Sequence, residues 1–414
     1  MVAPADAQKI KSLLQQGQIL AAQKNWAQAT KVYTQIDKLL PKNADVLNML
    51  GSTYFYQKEY TKAAQYYRKG LTCSPNHQPI LNNLGNSLFS LGDADALVSL
   101  LTTRQNLSAE QQLLLAQAHW VLQQTDKTLA QLEAILTTEE LTELTRAKTT
   151  IMQALLQYAA FPDIQTVQKT LQPLAETYKT FPAPDGVWIG GYYRFLSKLC
   201  ALPIPTSPTN SLPMYAIGDS HTLSYAHHSI ELNGQSYTIQ PRILFNAMAF
   251  HFSAERPSPA KTAMRTLAKQ LPKNTPLLFS VGEIDCRQTA GILPYLLKNP
   301  DKKAEDIVAQ TVAAYISFIA QAFNKHEAPV FIHGVPAPLA ENQKLENDQW
   351  QTLLQIIALF NESLQKEAEK HGFTFVDIYK KTVNNQMVAQ ENMHLDTSHI
   401  HPDIAVSCLK DTIT

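Results

Sequence analysis

Apolar and polar residues follow a helical period through the first 180 residues of this 414-residue chain. The pattern returns every 34 residues, so that Gly17 is followed by Gly51 and Gly85. Further pairs at this interval are Ala29 and Ala63, Tyr33 and Tyr67, and Pro41 and Pro75. Each copy predicts two amphipathic helices, with the glycine at a close helix approach, the alanine at the crossing, the tyrosine in the groove and the proline after the second helix.

This spacing resembles the tetratricopeptide repeat. The second copy has the family's signature residues most fully, at Leu47, Leu50, Gly51, Tyr54, Ala63, Tyr67 and Pro75. The third copy keeps Gly85 but has Leu97 and Leu101 in place of the small and aromatic residues. From Ser108 to about Thr180 the helical pattern continues without a clear repeat, as expected of degenerate repeats or capping helices. The resemblance implies an all-α solenoid over residues 1–180.

A solenoid of this kind presents a concave groove, and the resemblance implies that a protein or peptide partner binds there. The repeats can equally serve only to brace the rest of the chain. The sequence does not distinguish these two roles, because it does not show which residues line the groove.

The middle of the chain contains two stretches with several prolines. Pro182 and Pro184 precede an aromatic-rich stretch, Val187–Leu202, and a segment rich in proline, serine and threonine follows as far as Pro213. We expect residues 181–212 to form a connecting helix and a linker. The aromatic residues of that helix are expected to pack between the two halves rather than to contact a ligand. They include Trp188, Tyr192, Tyr193 and Phe195.

Short apolar runs alternate with longer helical patterns over residues 213–414. The expected strands are Met214–Ile217, Tyr237–Phe245, Leu277–Val281, Val330–His333 and Thr374–Ile378. The expected helices lie near Ala260–Gln270, Ala304–Asn324 and Asp348–Lys370. This alternation is typical of an α/β domain in which helices cover both faces of a parallel sheet. In such sheets the functional residues lie at the carboxyl ends of the strands.

Candidate catalytic residues lie at that edge. Ser220, in Gly218-Asp219-Ser220, follows the first strand directly, and Asp396-Thr397-Ser398-His399 precedes the last helix. An imidazole can take the proton of a serine hydroxyl, and a carboxylate can fix the tautomer of the imidazole. Each motif alone is more often an ordinary turn, so the prediction of a catalytic site depends on their joint placement.

Residues 213–414 resemble the SGNH hydrolases, also called GDSL-type esterases. The resemblance lies in Gly218-Asp219-Ser220 after the first strand and in Asp396-x-x-His399 near the end of the chain. It implies a three-layer, flavodoxin-like α/β fold. It also implies that Ser220 is the nucleophile, His399 the base and Asp396 the residue that orients the base. No cofactor and no metal are implied.

The middle block of that family is altered here. In Gly282-Glu283-Ile284-Asp285, isoleucine stands where the family has the asparagine of its oxyanion hole. Loss of such a donor costs about 3–4 kcal/mol of transition-state stabilisation. Three outcomes stay open: a neighbouring side chain shifts into the hole, Arg287 or Asn246 substitutes with help from the Ser220 N–H, or the site is slow or inactive. Asn246 is considered because it falls where the family has its second block.

Charged residues alternate just after the middle strand. On an extended segment Glu283, Asp285 and Arg287 would share one face. There they could hold a polar substrate such as a sugar, or form only a network of salt bridges. His221, beside Ser220, is a further candidate for substrate contact, and the other histidines show no spacing typical of a metal site.

Composition narrows the classes of partner. Lys and Arg total 35, as do Asp and Glu, so the formal net charge is zero and no basic surface for nucleic acid is predicted. The four cysteines lie far apart, no signal-peptide pattern opens the chain, and no apolar run reaches the ~18 residues of a membrane helix. We therefore expect a cytoplasmic protein without membrane insertion.

Two kinds of function remain. One is a serine esterase, deacylase or acyltransferase that acts on a polar or carbohydrate ester, with the repeats binding a partner protein. The other is a non-catalytic adaptor with a degenerate SGNH-like domain, a hypothesis that Ile284 motivates. Hydrolysis and acyl transfer share one acyl-enzyme, so the sequence does not separate them.

Overall fold

A computed structural model describes residues 4–138, 140–160, 163–206, 208–244, 247–253, 255 and 257–414. The chain divides into two compact units. The first runs as far as Gln131 and also takes in a short segment that ends at Thr262, and the second comprises Leu132–Glu255 and Ala263–Thr414. The predicted domain boundaries at residues 180 and 212 therefore both lie inside the second unit.

Paired α-helices form the first unit. They are α1 (Pro4–Ala22), α2 (Trp26–Leu39), α3 (Ala44–Tyr56), α4 (Tyr60–Cys73), α5 (Gln78–Ser90), α6 (Ala94–Thr102), α7 (Ala109–Val121) and α8 (Thr125–Leu136), the last of which continues into the second unit. Polar side chains begin several of these helices. Asn43 accepts a hydrogen bond from the backbone N–H of Val46, and Ser108 forms a capping box with Gln111, which fixes the predicted start of α7.

The predicted close helix approach at the glycine is present in the first two repeats, where the glycine packs against the tyrosine ring. A methyl group added to Gly51 would overlap the ring of Tyr67, and one added to Gly17 would overlap Tyr33 in the same way. The third repeat is looser, because a methyl group on Gly85 would lie 3.2 Å from Leu114 and 3.5 Å from Leu97. The helices of the first two repeats therefore approach closely only because glycine has no side chain.

Three further helices belong to the second unit, before its sheet. They are α9 (Glu143–Ala160), α10 (Ile164–Leu171) and α11 (Asp185–Leu199). The α11 helix is the predicted aromatic-rich helix. The described residues between α11 and the first strand form no helix or strand.

The sheet has six strands in the order β2-β3-β1-β4-β5-β6. Their bounds are β1 (Leu212–Gly218), β2 (Ser229–Leu232), β3 (Gln235–Ile243), β4 (Leu277–Ser280), β5 (Val330–His333) and β6 (Thr374–Val376). All neighbours are parallel except β2 and β3, which form an antiparallel pair. The sheet is therefore mixed, and the prediction of a purely parallel sheet was wrong at this edge.

A tight hairpin accounts for the antiparallel strand. Asn233 and Gly234 connect β2 to β3, and both have positive φ, 53° and 76°. Asn-Gly is a frequent dipeptide of two-residue hairpin turns, because both residues tolerate that backbone region. The dipeptide was the one sequence signal that could have predicted β2.

Numbered among themselves, the parallel strands follow the order 2-1-3-4-5, which is one of the common orders of doubly wound sheets. The strand order reverses between β1 and β4. In such sheets ligands bind at this reversal, outside the carboxyl ends of the strands. Ser220 follows β1 and Gly282 follows β4, so both predicted segments lie at the reversal.

Helices pack on the two faces of the sheet. Those that follow the hairpin are α12 (Phe250–Ser253), α13 (Pro259–Gln270), α14 (Ile292–Lys298), α15 (Ala304–Ala322), α16 (Asn347–Lys370), α17 (Ile378–Thr382) and α18 (Pro402–Ile413). Ala216 and Leu278 share a buried cluster with Leu409 of α18. Phe279, on the opposite face, contacts Phe323 at the end of α15. No helix in the described residues is both long enough and apolar enough to cross a membrane.

Candidate active site

The turn after β1 holds Ser220 at the carboxyl edge of the sheet. The backbone N–H of Asp219 donates to the carbonyl oxygen of Ser280, at 2.9 Å. A side chain at Gly218 would overlap that same oxygen, so the close approach of the two strands requires glycine. Ser220 begins a 3₁₀ helix, Ser220–Tyr225, and Asp219 Oδ1 accepts from the backbone N–H of His221 at 2.9 Å. Asp219 thus fixes the turn through its side chain.

Ser220, His399 and Asp396 come together in an unbroken chain of contacts. Ser220 Oγ lies 2.8 Å from His399 Nε2. His399 Nδ1 lies 2.9 Å from Asp396 Oδ2 and 3.0 Å from Oδ1. Ser220 is 4% exposed and His399 5% exposed, so solvent does not compete with these contacts. The geometry is that of a nucleophile, a base and an orienting carboxylate.

One turn of backbone positions the base and its carboxylate. Asp396 Oδ1 accepts from the backbone N–H groups of Ser398, at 2.9 Å, and His399, at 2.7 Å. The Asp396 carboxylate therefore closes its own turn and faces the imidazole three residues later. This explains why a short Asp-x-x-His motif can supply both side chains.

The protons of the site can be assigned from its partners. Burial and the neighbouring His221 lower the pKa of His399, although Asp396 acts to raise it. Burial acts to raise the pKa of Asp396, but the imidazole and two backbone N–H groups bring it below its ordinary value. An ionised carboxylate only accepts, so Nδ1 carries the hydrogen and Nε2 offers its lone pair to the Ser220 hydroxyl. That is the tautomer in which His399 can take the serine proton.

The α11 helix covers the three residues. The ring of Phe195 stacks on the imidazole of His399, with centroids 3.6 Å apart and planes 10° apart. Lys198 Nζ donates to the carbonyl oxygen of Leu395, at 2.7 Å. Burial raises the pKa of Tyr192 to about 12, while the hydroxyl of Ser220 and the charge of Arg287 oppose the rise. Tyr192 thus stays protonated and lies beside the serine.

Sequence reasoning missed this part of the site. It assigned the aromatic residues of α11 to packing between the halves of the chain, but Tyr192 and Phe195 face the triad. Their spacing of three residues places them on one helix face, which is also the pattern of ordinary core residues. Nothing in the sequence relates that face to Ser220.

Ile284 stands where the SGNH resemblance leads us to expect an asparagine that donates a hydrogen bond. Ile284 begins a 3₁₀ helix, Ile284–Cys286, and its side chain cannot donate. In the described residues the backbone N–H of Ser220 donates to no acceptor. It is therefore available as a first donor. Asn246, the suggested replacement, lies outside the residues that the structure describes.

The segment after β4 is not extended, so the predicted common face of Glu283, Asp285 and Arg287 is wrong. Its 3₁₀ turn brings Arg287 back onto Glu283, with Nε 2.8 Å and 2.9 Å from the two carboxylate oxygens. The guanidinium side chain is 36% exposed and the Glu283 side chain 15%. These two residues form a paired, partly exposed group, whereas Asp285 points elsewhere.

Asp285 is fully buried and holds the loop before α12. Its carboxylate accepts from the backbone N–H groups of Ala249, at 2.7 Å, and Phe250, at 3.0 Å. Burial raises the pKa of Asp285 to about 7, although these two hydrogen bonds oppose the rise. Its contacts are structural and it does not reach the surface of the site.

His221 is also buried, with 1% of its surface exposed, so the predicted substrate contact is not available to it. Its ring lies behind the triad, with its centroid 5.0 Å from that of His399. Across the described residues, His, Cys, Asp and Glu side chains form no group of three or more that could hold a metal ion.

Comparison with known proteins identifies the repeats. Residues 8–77, which span most of α1 and all of α2–α4, match the family model of the tetratricopeptide repeat. The predicted repeat is therefore confirmed for this part of the first unit. No curated protein matches the chain.

Three solved structures show distant likenesses. A Bacteroides fragilis protein, provisionally named an acylhydrolase, is 16% identical with a TM-score of 0.32, over 52% of this chain and 90% of its own. An O-GlcNAc transferase of Thermobaculum terrenum is 12% identical with a TM-score of 0.25, over 81% of this chain and 55% of its own. A complex of Naa15 and Naa10 bound to HypK-THB is 14% identical with a TM-score of 0.28, over 88% of this chain and 48% of its own. This chain spans about half the length of the last two, and at these scores none decides fold or function.

Proposed function

We propose that this protein is a serine hydrolase or acyltransferase of the SGNH type that acts on ester bonds. The single observation that supports the proposal most strongly is the unbroken relay from Ser220 Oγ through His399 to Asp396. Its position at the reversal of strand order, where α/β sheets bind ligands, is a second and independent support.

The reaction follows from the assigned protons. Ser220 Oγ attacks the ester carbonyl carbon while His399 Nε2 takes the hydroxyl proton. The tetrahedral intermediate collapses, and the leaving alkoxide receives that proton from His399. Water, or an acceptor hydroxyl, then gives its proton to His399 and attacks the acyl-enzyme. The second tetrahedral intermediate collapses with cleavage of the bond to Ser220 Oγ, and His399 returns the proton to that oxygen. Asp396 keeps the imidazole in the required tautomer throughout.

The negative oxygen of the intermediate needs donors other than the family's asparagine. The backbone N–H of Ser220 has no acceptor in the described residues and is the first of them. The hydroxyl of Tyr192 is the second in this proposal, because it lies beside Ser220 and its pKa, raised to about 12, keeps its hydrogen in place at neutral pH.

A polar acyl acceptor, with carbohydrate esters as the preferred class, fits the rim. The paired Glu283 and Arg287 lie next to the triad and are partly exposed, so they can exchange hydrogen bonds with hydroxyl groups. Glu283 is held ionised because Arg287 lowers its pKa, against the opposing effect of burial.

Ester turnover tests the proposal. The full chain is assayed with acetylated sugars and p-nitrophenyl esters, with and without a sugar acceptor, alongside Ser220→Ala and His399→Ala. Release of acetate that both substitutions abolish is expected, and Ser253→Ala, which changes a partly exposed serine of α12, serves as the matched control. Acyl-sugar product formed at the expense of acetate would assign transfer rather than hydrolysis. Turnover that survives Ser220→Ala would contradict the proposal.

The repeats are proposed to bind a protein partner, as their family match indicates. If the α/β domain is inactive, the whole chain is an adaptor, a possibility that Ile284 alone favours. The ester-turnover assay also distinguishes the enzyme from the non-catalytic adaptor. No ester turnover by the intact chain, with partner binding retained, supports the adaptor, whereas turnover that His399→Ala abolishes excludes it.

A further inference from the structure

His221 faces two oxygen atoms with its two ring nitrogens. Nδ1 lies 3.2 Å from Asp219 Oδ1, and Nε2 lies 3.1 Å from the carbonyl oxygen of Ser398. A carbonyl oxygen and an ionised carboxylate can only accept hydrogen bonds. Both contacts are therefore hydrogen bonds only if both nitrogens carry hydrogen, and an imidazole with both is positively charged.

We infer that His221 is a charged imidazolium that keeps His399 uncharged, and so ready to act as a base, and that ties the Ser398 backbone to the turn after β1. This inference rests on the proposed function, because it gives His221 a positioning part in that same site. Its burial keeps it away from substrate. It acts on the reaction only through His399.

The contacts explain why one imidazole is charged and the other is not. Each ring has one nitrogen on a carboxylate, Asp219 for His221 and Asp396 for His399. The second nitrogen of His221 faces a carbonyl, which cannot donate. The second nitrogen of His399 faces the hydroxyl of Ser220, which can. Only His221 therefore needs a second proton to complete its hydrogen bonds.

Repulsion between the two rings has the same effect. A proton added to His399 would place a second positive charge about 5.0 Å from the first, measured between ring centroids, in a site that excludes solvent. Like charges at this distance disfavour the second protonation. The charge of His221 thus holds His399 in the form that accepts the serine proton.

Other ionisable groups around the two rings agree with this assignment. They are the carboxylates of Asp219, Glu283 and Asp396 and the imidazoles of His333 and His394. Burial lowers the pKa of His221, but Asp219 and then Glu283 outweigh it and leave the pKa above its ordinary value. Burial and His221 together lower the pKa of His394 to about 4 and hold the pKa of His333 well below its ordinary value, so neither shares the charge.

Nuclear magnetic resonance of the full chain with ¹⁵N-labelled histidine tests the charge directly. At pH 7.5 His221 is expected to show hydrogen on both ring nitrogens, and His399 on Nδ1 only. The signals of His221 are identified by their loss in His221→Gln. A His221 ring with one bare nitrogen at pH 7.5 would overturn the inference. The spectrum requires no turnover, so this result is independent of whether the protein hydrolyses esters.

The effect on His399 is tested with His221→Gln, which can still donate to the Ser398 carbonyl but has no charge. The titration midpoint of His399 is expected to rise by about one to two pH units. The pH midpoint of the acid limb of the kcat/KM profile should shift upward by the same amount, since only neutral His399 takes the serine proton. His326→Gln is the matched control, because His326 Nε2 also faces a carbonyl, that of Thr275 at 2.7 Å, away from the triad.

An unchanged titration midpoint of His399 in the His221→Gln variant would also overturn the inference. A purely structural role for His221 predicts a lower kcat/KM at every pH, with the pH midpoint of the acid limb unchanged. If the glutamine variant does not fold, the His221 signals of the wild type are identified by sequential resonance assignment instead, and the wild-type spectrum then decides whether His221 is charged. A charged His221 and a shifted His399 in a chain that turns over no ester would contradict the proposed function but not the charge assignment.

Discussion

A single hydroxyl group, that of Tyr192, compensates in this account for the asparagine that Ile284 replaces. Ile284 offers no hydrogen-bond donor, and the backbone N–H of Ser220 supplies only one. Tyr192 comes from α11, the helix that precedes β1, and its hydroxyl lies beside Ser220. The proposed catalytic site therefore combines motif residues with a residue that no motif contains.

Tyr192→Phe tests that role. Removal of one oxyanion donor lowers kcat about 10²–10³-fold, with little change in KM, because the donor acts on the transition state. Steady-state kinetics on the best ester measures both constants. Tyr193→Phe is the matched control, because Tyr193 lies in the same helix as Tyr192 but its ring stacks on Tyr178, which precedes that helix, with ring centroids 4.3 Å apart. Equal rates for Tyr192→Phe and the wild type would contradict the assignment.

Asp285 makes stability depend on pH. Burial raises the pKa of Asp285 from 3.8 to about 7, so the folded state binds a proton that the unfolded state releases above pH ~4. Protonation of Asp285 therefore adds to the free energy of unfolding. This added stability is fully present below pH ~4 and is lost as pH rises through about 7, at up to about 1.4 kcal/mol per pH unit.

Asp285→Asn removes that titration. The asparagine has one acceptor for two backbone N–H groups, so the variant should be less stable near pH 5. The difference from wild type in the free energy of unfolding should narrow towards pH 8, as measured by urea unfolding. A difference that stays constant, or widens, over this range would show that Asp285 is already ionised in the folded state.

Among the helices and strands, α11 contributes most to the proposed site beyond the motif residues. It begins at Asp185 and presents Tyr192, Phe195 and Lys198 towards the triad and its loop. The sheet supplies the other side, because the turn after β1 and the segment after β4 meet where the strand order reverses. The site thus needs a helix from before the sheet as well as the carboxyl edge of the sheet.

Gly218→Ala tests the β1 turn. Its added methyl group would overlap the carbonyl oxygen of Ser280, so we expect a loss of about 1–3 kcal/mol or more in the free energy of unfolding and a loss of ester turnover. Gly191→Ala, in α11, is the control: nothing lies within 4 Å of its added methyl group, and the helix should gain up to about 1 kcal/mol. Equal stability of the two variants would contradict this account of the turn.

The sequence predicted those elements that have a clear period. Strand β5 is a short continuous apolar run and helix α16 repeats its apolar residues with a helical period, so the positions of both could be predicted within a few residues. Glu283 to Arg287 was misread because five residues are too few to distinguish an extended segment from a 3₁₀ turn. The position of α11 could not be predicted, since helix periodicity states which face is apolar and not what covers it.

The whole molecule consists of two compact units with their own cores. The first contains close glycine–tyrosine contacts between paired helices, and the second contains the sheet and the proposed triad. The chain has no formal net charge, so the chain as a whole has no general attraction to nucleic acid. The proposed function assigns partner binding to the first unit and ester chemistry to the second.

Gly51→Val tests whether the units unfold separately. Its side chain would overlap the ring of Tyr67 in the second repeat, which should weaken the first unit. Calorimetry is expected to show two transitions, of which Gly51→Val lowers one and Gly218→Ala the other. One transition that both substitutions shift equally would show that the two units unfold together.

The reactivity of Ser220 towards a fluorophosphonate probe tests the central claim most directly. Such probes form a covalent bond with a serine whose hydroxyl is activated by a base. We predict that mass spectrometry of the labelled full chain finds the adduct on Ser220, and that Ser220→Ala and His399→Ala abolish it. Equal labelling of wild type and Ser220→Ala, or no labelling of Ser220 in the folded wild-type chain, would contradict the account.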